Sequence, residues 1–418
     1  MSYRLFKELI DYSIDKVPYY RELFSKHNLN SNSFQTIDDV QKIPLLDRET
    51  VQRNIDSIIS EECMHFPLSS NIVVHRTSGS TGVYLRVLWS RYDLLKSLLR
   101  LWNLRKKYYN IDPLSKFCSF QSQGYTIGSS NNNRELYNIR DNMLFFNKVE
   151  IDDGCMLSYY NEIVNFEPDW LFIQPSIAYK FSNFIEANNM VIPKSLKYIE
   201  LMGEYVFPEH QARISRVLEV PVANMYGCME SNGIAYECPN GHLHSIGDNT
   251  IVEVLKDGER VKYGEVGDIY ITCLTNHTMP FIRYGTGDRG ILYPSDVCNC
   301  GNKNPVLKIL AGRINENLKI SENKTIDSFV LANLIENANK NFNNAILQFK
   351  AVQLSYEKII LYLVNDKAYK NWLEAIKDYF TNYISKTVLN VFEWDIQFTQ
   401  EIPIDQATGK YRFVVSKI

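Results

Sequence analysis

The 418-residue sequence has no run of about 18 apolar residues, the length a membrane-spanning helix requires. Met1-Ser2-Tyr3-Arg4 leads into an amphipathic pattern with no apolar signal core. A net charge of −3 gives no basic footprint, which argues against a nucleic-acid partner. Neither an internal repeat nor a low-complexity segment is present. Together these absences predict a cytoplasmic protein with no membrane partner. There, eight cysteines are expected as thiols or metal ligands and not as disulfides. What remains is ordinary globular composition, 45% hydrophobic and 22% charged, over a length that predicts two or three domains.

A P-loop lysine is also missing. Thr77-Ser78-Gly79-Ser80-Thr81-Gly82 follows the apolar run Ile72-Val73-Val74, and no Lys comes after it. Backbone N–H groups and hydroxyls in such a loop can cradle an anion. The same composition also makes plain turns.

The remaining pattern is orderly. Leu5, Leu9 and Ile10 recur at helical spacing, Pro18 interrupts them, and Asp47 is a candidate helix N-cap. Leu85–Trp89 reads as a strand, and Leu94, Leu95, Leu98, Leu99 and Trp102 as a core-facing helix. Between 117 and 225, strand-like runs at Phe117–Phe120, Trp170–Ile173, Tyr198–Leu201 and Val220–Met225 alternate with helical patterns around Leu157–Val164, Ile177–Asn188 and Pro208–Leu218. That alternation predicts an α/β fold with a mainly parallel sheet, whose ligands bind beyond the strands' carboxyl ends. Gly203-Glu204 and Tyr226-Gly227 are expected just past two such ends. Residues 233–311 carry short strands and form a β-rich part. From Gly312 onward a helix, two strands, a helix and a strand predict a small α+β unit. The expected domains are therefore 1–311 and 312–418.

Five motifs follow one another: Thr77–Gly82, Gly203-Glu204, Tyr226-Gly227-Cys228-Met229-Glu230, Arg283-Tyr284-Gly285-Thr286-Gly287-Asp288 with Gly312-Arg313, and Asp405-Gln406-Ala407-Thr408-Gly409-Lys410. In this order and spacing the chain resembles the adenylate-forming superfamily of acyl- and aryl-CoA synthetases. Its N-terminal region and length look most like the phenylacetate-CoA ligase branch, with relatives in capsular polysaccharide and antibiotic pathways. The resemblance spans about residues 70–412. It implies a large N-terminal domain, a small mobile C-terminal domain, and ATP-driven activation of a carboxylic acid as an acyl-AMP.

Each role that the resemblance implies has a chemical reason. Thr77–Gly82 would hold the β- and γ-phosphates. Tyr226 would lie against adenine, as an aromatic face suits a base; the alternative is a core tyrosine. Glu230 offers a hard oxygen for Mg²⁺; the alternative is a helix-start carboxylate. Asp288 has two oxygens for the ribose hydroxyls, and Arg313 a planar donor fork for ribose or phosphate. Lys410 would neutralise charge developing between the attacking carboxylate and the α-phosphate; the alternative is a surface lysine after a Thr-Gly turn. Gln123, Gly124, Tyr125 and Tyr205 are expected to line the acid pocket, beside the helix carrying Phe181 and Phe184.

Cysteines and histidines gather in the β-rich part. Cys238, His242, His244, Cys298 and Cys300 suit a tetrahedral structural Zn²⁺, with Cys238, Cys298, Cys300 and one histidine, His244 preferred over His242, as ligands. The alternative is that the cysteines are small buried hydrophobes.

Two departures from the family's motifs stand out, a mild one at the phosphate loop that leaves ATP binding little affected and one at the hinge that bears on thioester formation. The phosphate loop continues Gly82-Val83-Tyr84-Leu85, where the family often has Gly-x-Pro-Lys. At the hinge, Asn315 stands for the usual Asp, and Glu322 for a glycine that lets backbone approach a pantetheine arm. Adenylation does not need that glycine. CoA is the acceptor that the resemblance implies, and an amine or hydroxyl compound is the alternative. A different class, a non-catalytic protein binding a nucleotide or acyl-adenylate, is opposed by joint retention of Glu230, Asp288, Arg313 and Lys410. A homodimer is allowed, and nothing in the sequence selects an oligomeric state.

Overall fold

The computed structural model describes residues 2–63, 71–76, 85–121, 137–147, 153–313, 317–322, 324–326, 329–343, 345–403 and 412–418. They form two compact units, Met1–Thr286 with Gly290–Lys308, and Gly287–Arg289 with Ile309–Ile418. The Thr77–Gly82 loop, Gln123, Gly124, Tyr125, Asn315 and Lys410 lie outside the described residues.

The first unit opens with α1 (Ser2–Lys16), α2 (Pro18–Lys26) and α3 (Arg48–Arg53). Leu5, Leu9 and Ile10 are all buried on one face of α1. Pro18 is the first residue of α2, where a missing N–H leaves no hydrogen bond unmade. Asp47 caps α3, its Oδ1 accepting from the Thr50 N–H at 2.7 Å. This N-terminal segment grips the chain near residue 283. Tyr20 donates to the Pro280 carbonyl at 2.9 Å and accepts from the Ile282 N–H at 3.1 Å. Arg283 donates to the carbonyls of Gln41 and Ile43 and to the buried Glu253 carboxylate. These contacts hold Arg283 at φ 51, a backbone geometry that a non-glycine residue keeps only when its surroundings impose it. Arg283 is thus a structural anchor for the residues that follow it.

A hairpin of β1 (Ile72–Arg76) and β2 (Arg86–Ser90) leads to α4 (Arg91–Tyr109). The main sheet then begins with β3 (Phe117–Gln121), β4 (Tyr137–Arg140) and β5 (Met143–Asn147). It continues through α5 (Asp153–Phe166), β6 (Trp170–Ile173), α6 (Pro175–Ala187), β7 (Tyr198–Met202), α7 (Pro208–Leu218) and β8 (Val222–Cys228). Strands β5, β3, β6, β7 and β8 are neighbours in that order and run parallel, as the alternating pattern predicts. The short β4–β5 hairpin was not expected; β4 runs antiparallel at the edge.

The β-rich part comprises β9 (Asn232–Glu237), β10 (Leu243–Ser245), β11 (Thr250–Lys256), β12 (Glu259–Arg260), β13 (Val266–Cys273), β14 (Tyr284–Tyr293) and β15 (Val306–Arg313). It extends the parallel strands edge to edge, giving the order β12-β11-β13-β14-β15-β10-β9-β8-β7-β6-β3-β5-β4. The join is the antiparallel β8–β9 hairpin, whose register shifts between Tyr226 and Gly227. A Cβ at Gly227 would stand 2.0 Å from the Asn232 carbonyl oxygen, so only glycine lets the two backbones pass there.

Helix α4 corrects one expectation. Leu95 and Leu99 are 67% and 51% exposed, and the face turned inward carries Asp93, Ser97, Leu101 and Arg105. The reason is on β7 and β9. Glu200, fully buried, accepts from Arg105 Nε and Nη2 at 2.8 and 2.6 Å and from the hydroxyls of Tyr198 and Tyr236 at 2.8 and 3.0 Å. The guanidinium also lies over the rings of Trp102 and Trp170. A buried carboxylate needs its cation, and that requirement turns the helix.

In the second unit a hairpin of β16 (Leu318–Ser321) and β17 (Lys324–Ile326) precedes α8 (Phe329–Asn341), β18 (Ile346–Gln353), β19 (Lys358–Asn365), α9 (Leu373–Ile384), β20 (Glu393–Thr399) and β21 (Val414–Ser416). The last four strands form one sheet in the order β20-β19-β18-β21. Buried Gln353 ties the hairpin to that sheet, accepting from the Lys319 N–H at 2.9 Å and donating to its carbonyl at 2.5 Å. The architecture is a large α/β unit with a β-rich extension and a smaller α+β unit. No helix among the described residues is long and apolar enough to cross a membrane.

Candidate functional site

The parallel order aligns the carboxyl ends of β3, β6, β7 and β8, the edge where open α/β sheets bind ligands. Gly203 follows β7 at φ 81 with nothing within 4 Å of where a Cβ would stand, so a tight turn is made where space is free. Glu204 turns back to the start of α6. Its oxygens accept from the Ser176 N–H at 3.0 Å and the Ser176 hydroxyl at 3.1 Å, so the carboxylate caps that helix. Tyr205 packs edge-on to Phe207, and Phe207 in turn lies against His210, which stacks on Tyr179 at 4.0 Å. Phe181, expected beside the acid pocket, is fully buried on α6, whereas Phe184 is half-buried.

Tyr226 and Gly227 lie inside β8 and not past its end. The Tyr226 hydroxyl donates to Thr286 Oγ1 at 3.4 Å, and Thr286 donates to the Ile269 carbonyl at 3.0 Å. Glu230 sits in the turn between β8 and β9, which removes the helix-start alternative. It is 4% exposed and accepts from the Tyr284 hydroxyl at 2.9 Å. Burial and the Glu230 charge push the Tyr284 phenol well up, so it stays a donor. Trp89 fixes the same turn by donating to the Met229 carbonyl at 3.0 Å. Burial, with Glu230 nearby, also raises the Cys228 thiol, which keeps it from being a nucleophile near neutral pH.

Asp288 is half-buried on β14. Arg313 ends β15, and its side chain lies outside the described residues, as do Thr77–Gly82, Gln123, Gly124, Tyr125 and Lys410. Sequence reasoning missed the residues that hold the site: Ser176, Trp89 and Tyr284 as the partner of Glu230. Tyr284 was in a recognised run, but its contact spans 54 positions of chain.

The β-rich extension brings Cys238, His244, Cys298 and Cys300 together, their ligand atoms all within 4.8 Å of one another. Cys238 Sγ and Cys298 Sγ are 3.7 Å apart, and Cys300 Sγ is 3.3 Å from His244 Nε2. Two sulfurs at about 2.3 Å from one tetrahedral centre would lie about 3.8 Å apart, so the spacing fits Zn²⁺. His244 Nδ1 lies 2.9 Å from the Asn304 carbonyl, a contact that leaves Nε2 free to ligate. Burial pushes the Cys238 thiol up to about 11. Burial opposes ionisation of Cys298 as well, but hydrogen bonds from His244, Cys300 and Cys238 outweigh it and hold that thiol down to about 6. Of the two histidines, only His244 lies on β10; His242 stands in the turn before it. His244 points inward from β10, while His242 stays outside the cluster with Nδ1 beside the Asn240 carbonyl. All eight cysteines are free of disulfides.

Residues 318–417 match the family model of the CapK C-terminal domain. Protein CapK of Staphylococcus aureus is 21% identical over 415 residues, covering 99% of this chain and 88% of its own length. The phenylacetate-coenzyme A ligase of Thermus thermophilus is 25% identical over 335 residues, 75% of this chain and 70% of its own. Among solved structures, 2-hydroxyisobutyryl-CoA ligase in the postadenylation state aligns with a TM-score of 0.71 at 17% identity, over 100% of this chain and 89% of that one. The amide bond synthetase McbA from Marinactinospora thermotolerans aligns with a TM-score of 0.54 at 14% identity, over 81% of this chain and 68% of that one. Fold and relatives together relate the chain to the adenylate-forming acyl- and aryl-CoA ligases.

Proposed function

We propose that the protein activates a carboxylic acid with ATP, forming an acyl-AMP and pyrophosphate, and then transfers the acyl group to an acceptor. The observation that carries this reading is Glu230: a buried carboxylate, held by Tyr284, in the turn that follows Tyr226 at the end of β8. A hard oxygen in that position suits Mg²⁺. Bound there, the ion would supply charge neutralisation for the phosphates. Thr77–Gly82 would hold the β- and γ-phosphates, Tyr226 the adenine, and Asp288 with Arg313 the ribose. The Gly203–Tyr205 loop would border the nucleotide and the acid through its backbone, since the Glu204 carboxylate already caps α6. Gln123, Gly124, Tyr125 and Tyr205 would line the acid. Lys410 would neutralise the oxygens as the substrate carboxylate attacks the α-phosphorus and pyrophosphate leaves, a step governed by position and charge.

The acceptor we favour is CoA, since the matched Thermus thermophilus relative is a coenzyme A ligase. An amine or hydroxyl acceptor is favoured by one observation. Glu322, exposed at the β16–β17 turn, stands where CoA ligases of this superfamily use glycine. For the Cys238, His244, Cys298 and Cys300 cluster we propose a structural Zn²⁺ that fastens β10 to the chain between β14 and β15.

ATP–pyrophosphate exchange against a panel of carboxylic acids tests the first step, with Lys410→Ala as control. Exchange that depends on one acid and falls at least about a hundredfold in the variant supports it. Full activity of Lys410→Ala with the best acid would remove that residue from the mechanism. CoA consumption in the same assay separates the two acceptors.

A further inference from the structure

Gln174 is the first residue past β6 and stands at the N-cap of α6, yet its side chain makes no capping bond. Glu204 has taken that task by accepting from the Ser176 N–H. The Gln174 amide is thereby released toward the carboxyl ends of β6 and β7. It is 6% exposed, and its Nε2 lies 3.7 Å from the Met202 sulfur at the end of β7. Its Oε1 is buried with no partner among the described residues. Turning the amide over would set an oxygen against the sulfur and leave Nε2 without a partner instead, so in either orientation one polar atom remains over. Buried polar atoms are nearly always satisfied, and the rare exception at a ligand-binding edge points to a ligand.

We infer that Gln174 is a specificity-determining residue whose Oε1 accepts a hydrogen bond from the acid being activated. This rests on the adenylation reading above. The favoured substrates are then carboxylic acids bearing a donor on the acyl chain, a hydroxyl or an amine, and not plain alkyl or aryl acids. An acid lacking the donor leaves Oε1 buried and unpaired, and sites of that kind discriminate strongly.

The test is acid-dependent ATP–pyrophosphate exchange by the full chain with matched pairs, each hydroxy or amino acid beside its analogue with hydrogen or methyl in that place. Wild type is expected to prefer the donor-bearing member by about a hundredfold or more in kcat/KM. Gln174→Met, close in volume but without an acceptor, is expected to bring that ratio below about fivefold, and Gln174→Glu, which keeps acceptor oxygens, to retain a preference. Thermal melting without ligand supplies a second readout: Gln174→Met should melt at or above the wild-type temperature, since it removes an unpaired buried atom. A clear loss of Tm would show that the amide has a partner within the fold, such as an ordered water, and would overturn the inference. Exchange with equal use of both members of every pair would overturn it while leaving adenylation intact. Absence of exchange with every acid would defeat the adenylation reading itself, and this inference with it.

Discussion

Replacing Arg105 by methionine should be among the most destabilising single changes in the first unit. Arg105 donates two bonds, at 2.8 and 2.6 Å, to a carboxylate that has no solvent access. Without it, Glu200 Oε2 keeps the hydroxyls of Tyr198 and Tyr236, but Oε1 loses its donor and the charge loses its counter-ion. Breaking a buried pair from one side costs about 3–5 kcal/mol. Loss of the cation over Trp102 and Trp170 adds up to about 1 kcal/mol, which the methionine's own contact with the rings largely offsets. The sum, about 4 kcal/mol, corresponds to a Tm loss on the order of 10 °C for a unit of this size. Scanning calorimetry at one fixed rate measures it, with tryptophan fluorescence as a second probe. The double variant Arg105→Met/Glu200→Gln removes both charges and leaves an acceptor for the tyrosines. It should recover to within about 1–2 kcal/mol of wild type. A single variant melting within 2 °C of wild type, taking about 2–4 °C per kcal/mol, would refute the reasoning. So would a double variant no better than the single.

The remaining predictions concern the site, the metal and pH. Tyr284→Phe removes the donor that orients Glu230, and should raise the Mg²⁺ concentration needed for half-maximal exchange several-fold while leaving the Tm within a few degrees. An unchanged Mg²⁺ requirement would count against Glu230 as the metal ligand. Purified protein should carry one equivalent of Zn²⁺ by elemental analysis, and Cys300→Ser should lose most of it and melt lower; protein free of Zn²⁺ with an unchanged Tm would end that assignment. Asp93 is buried, which alone would raise its carboxyl, but bonds from His277 and Ser90 hold it below the usual carboxylate range. Its folded pKa lies below the unfolded value near 3.9. Its contribution is therefore complete above about pH 5 and is lost as pH falls through the folded value. Asp93→Asn should cost about 1–2 kcal/mol in urea unfolding at pH 7 and much less near pH 3, and an equal cost at both would contradict the sign.

Local and periodic features were legible in the residues alone. Helix α7 begins and ends where Pro208 and Leu218 predict, and β6 matches Trp170–Ile173, because short-range periodicity and proline set those limits. The alternation of strands and helices fixed the parallel half of the sheet, and the Cys/His clusters marked four residues whose ligand atoms the fold brings within 4.8 Å of one another. Tertiary structure decided what periodicity cannot carry. Leucine spacing on α4 pointed Leu95 and Leu99 inward, but the buried Glu200 required Arg105 and rotated the helix. His244 was separated from His242 because β10 begins at Leu243, which leaves His242 in the turn before the strand and pairs His244 with Val306 and Tyr236. The joining of the β-rich part to the parallel strands depended on a bulge at Gly227, where two backbones meet. Tyr284 reached Glu230, and Glu204 released Gln174, only because residues far apart in the chain share one end of the sheet. Pattern in a sequence reports which face of an element is apolar; the pairing of a buried charge or an unpaired amide is set by whatever packs against it.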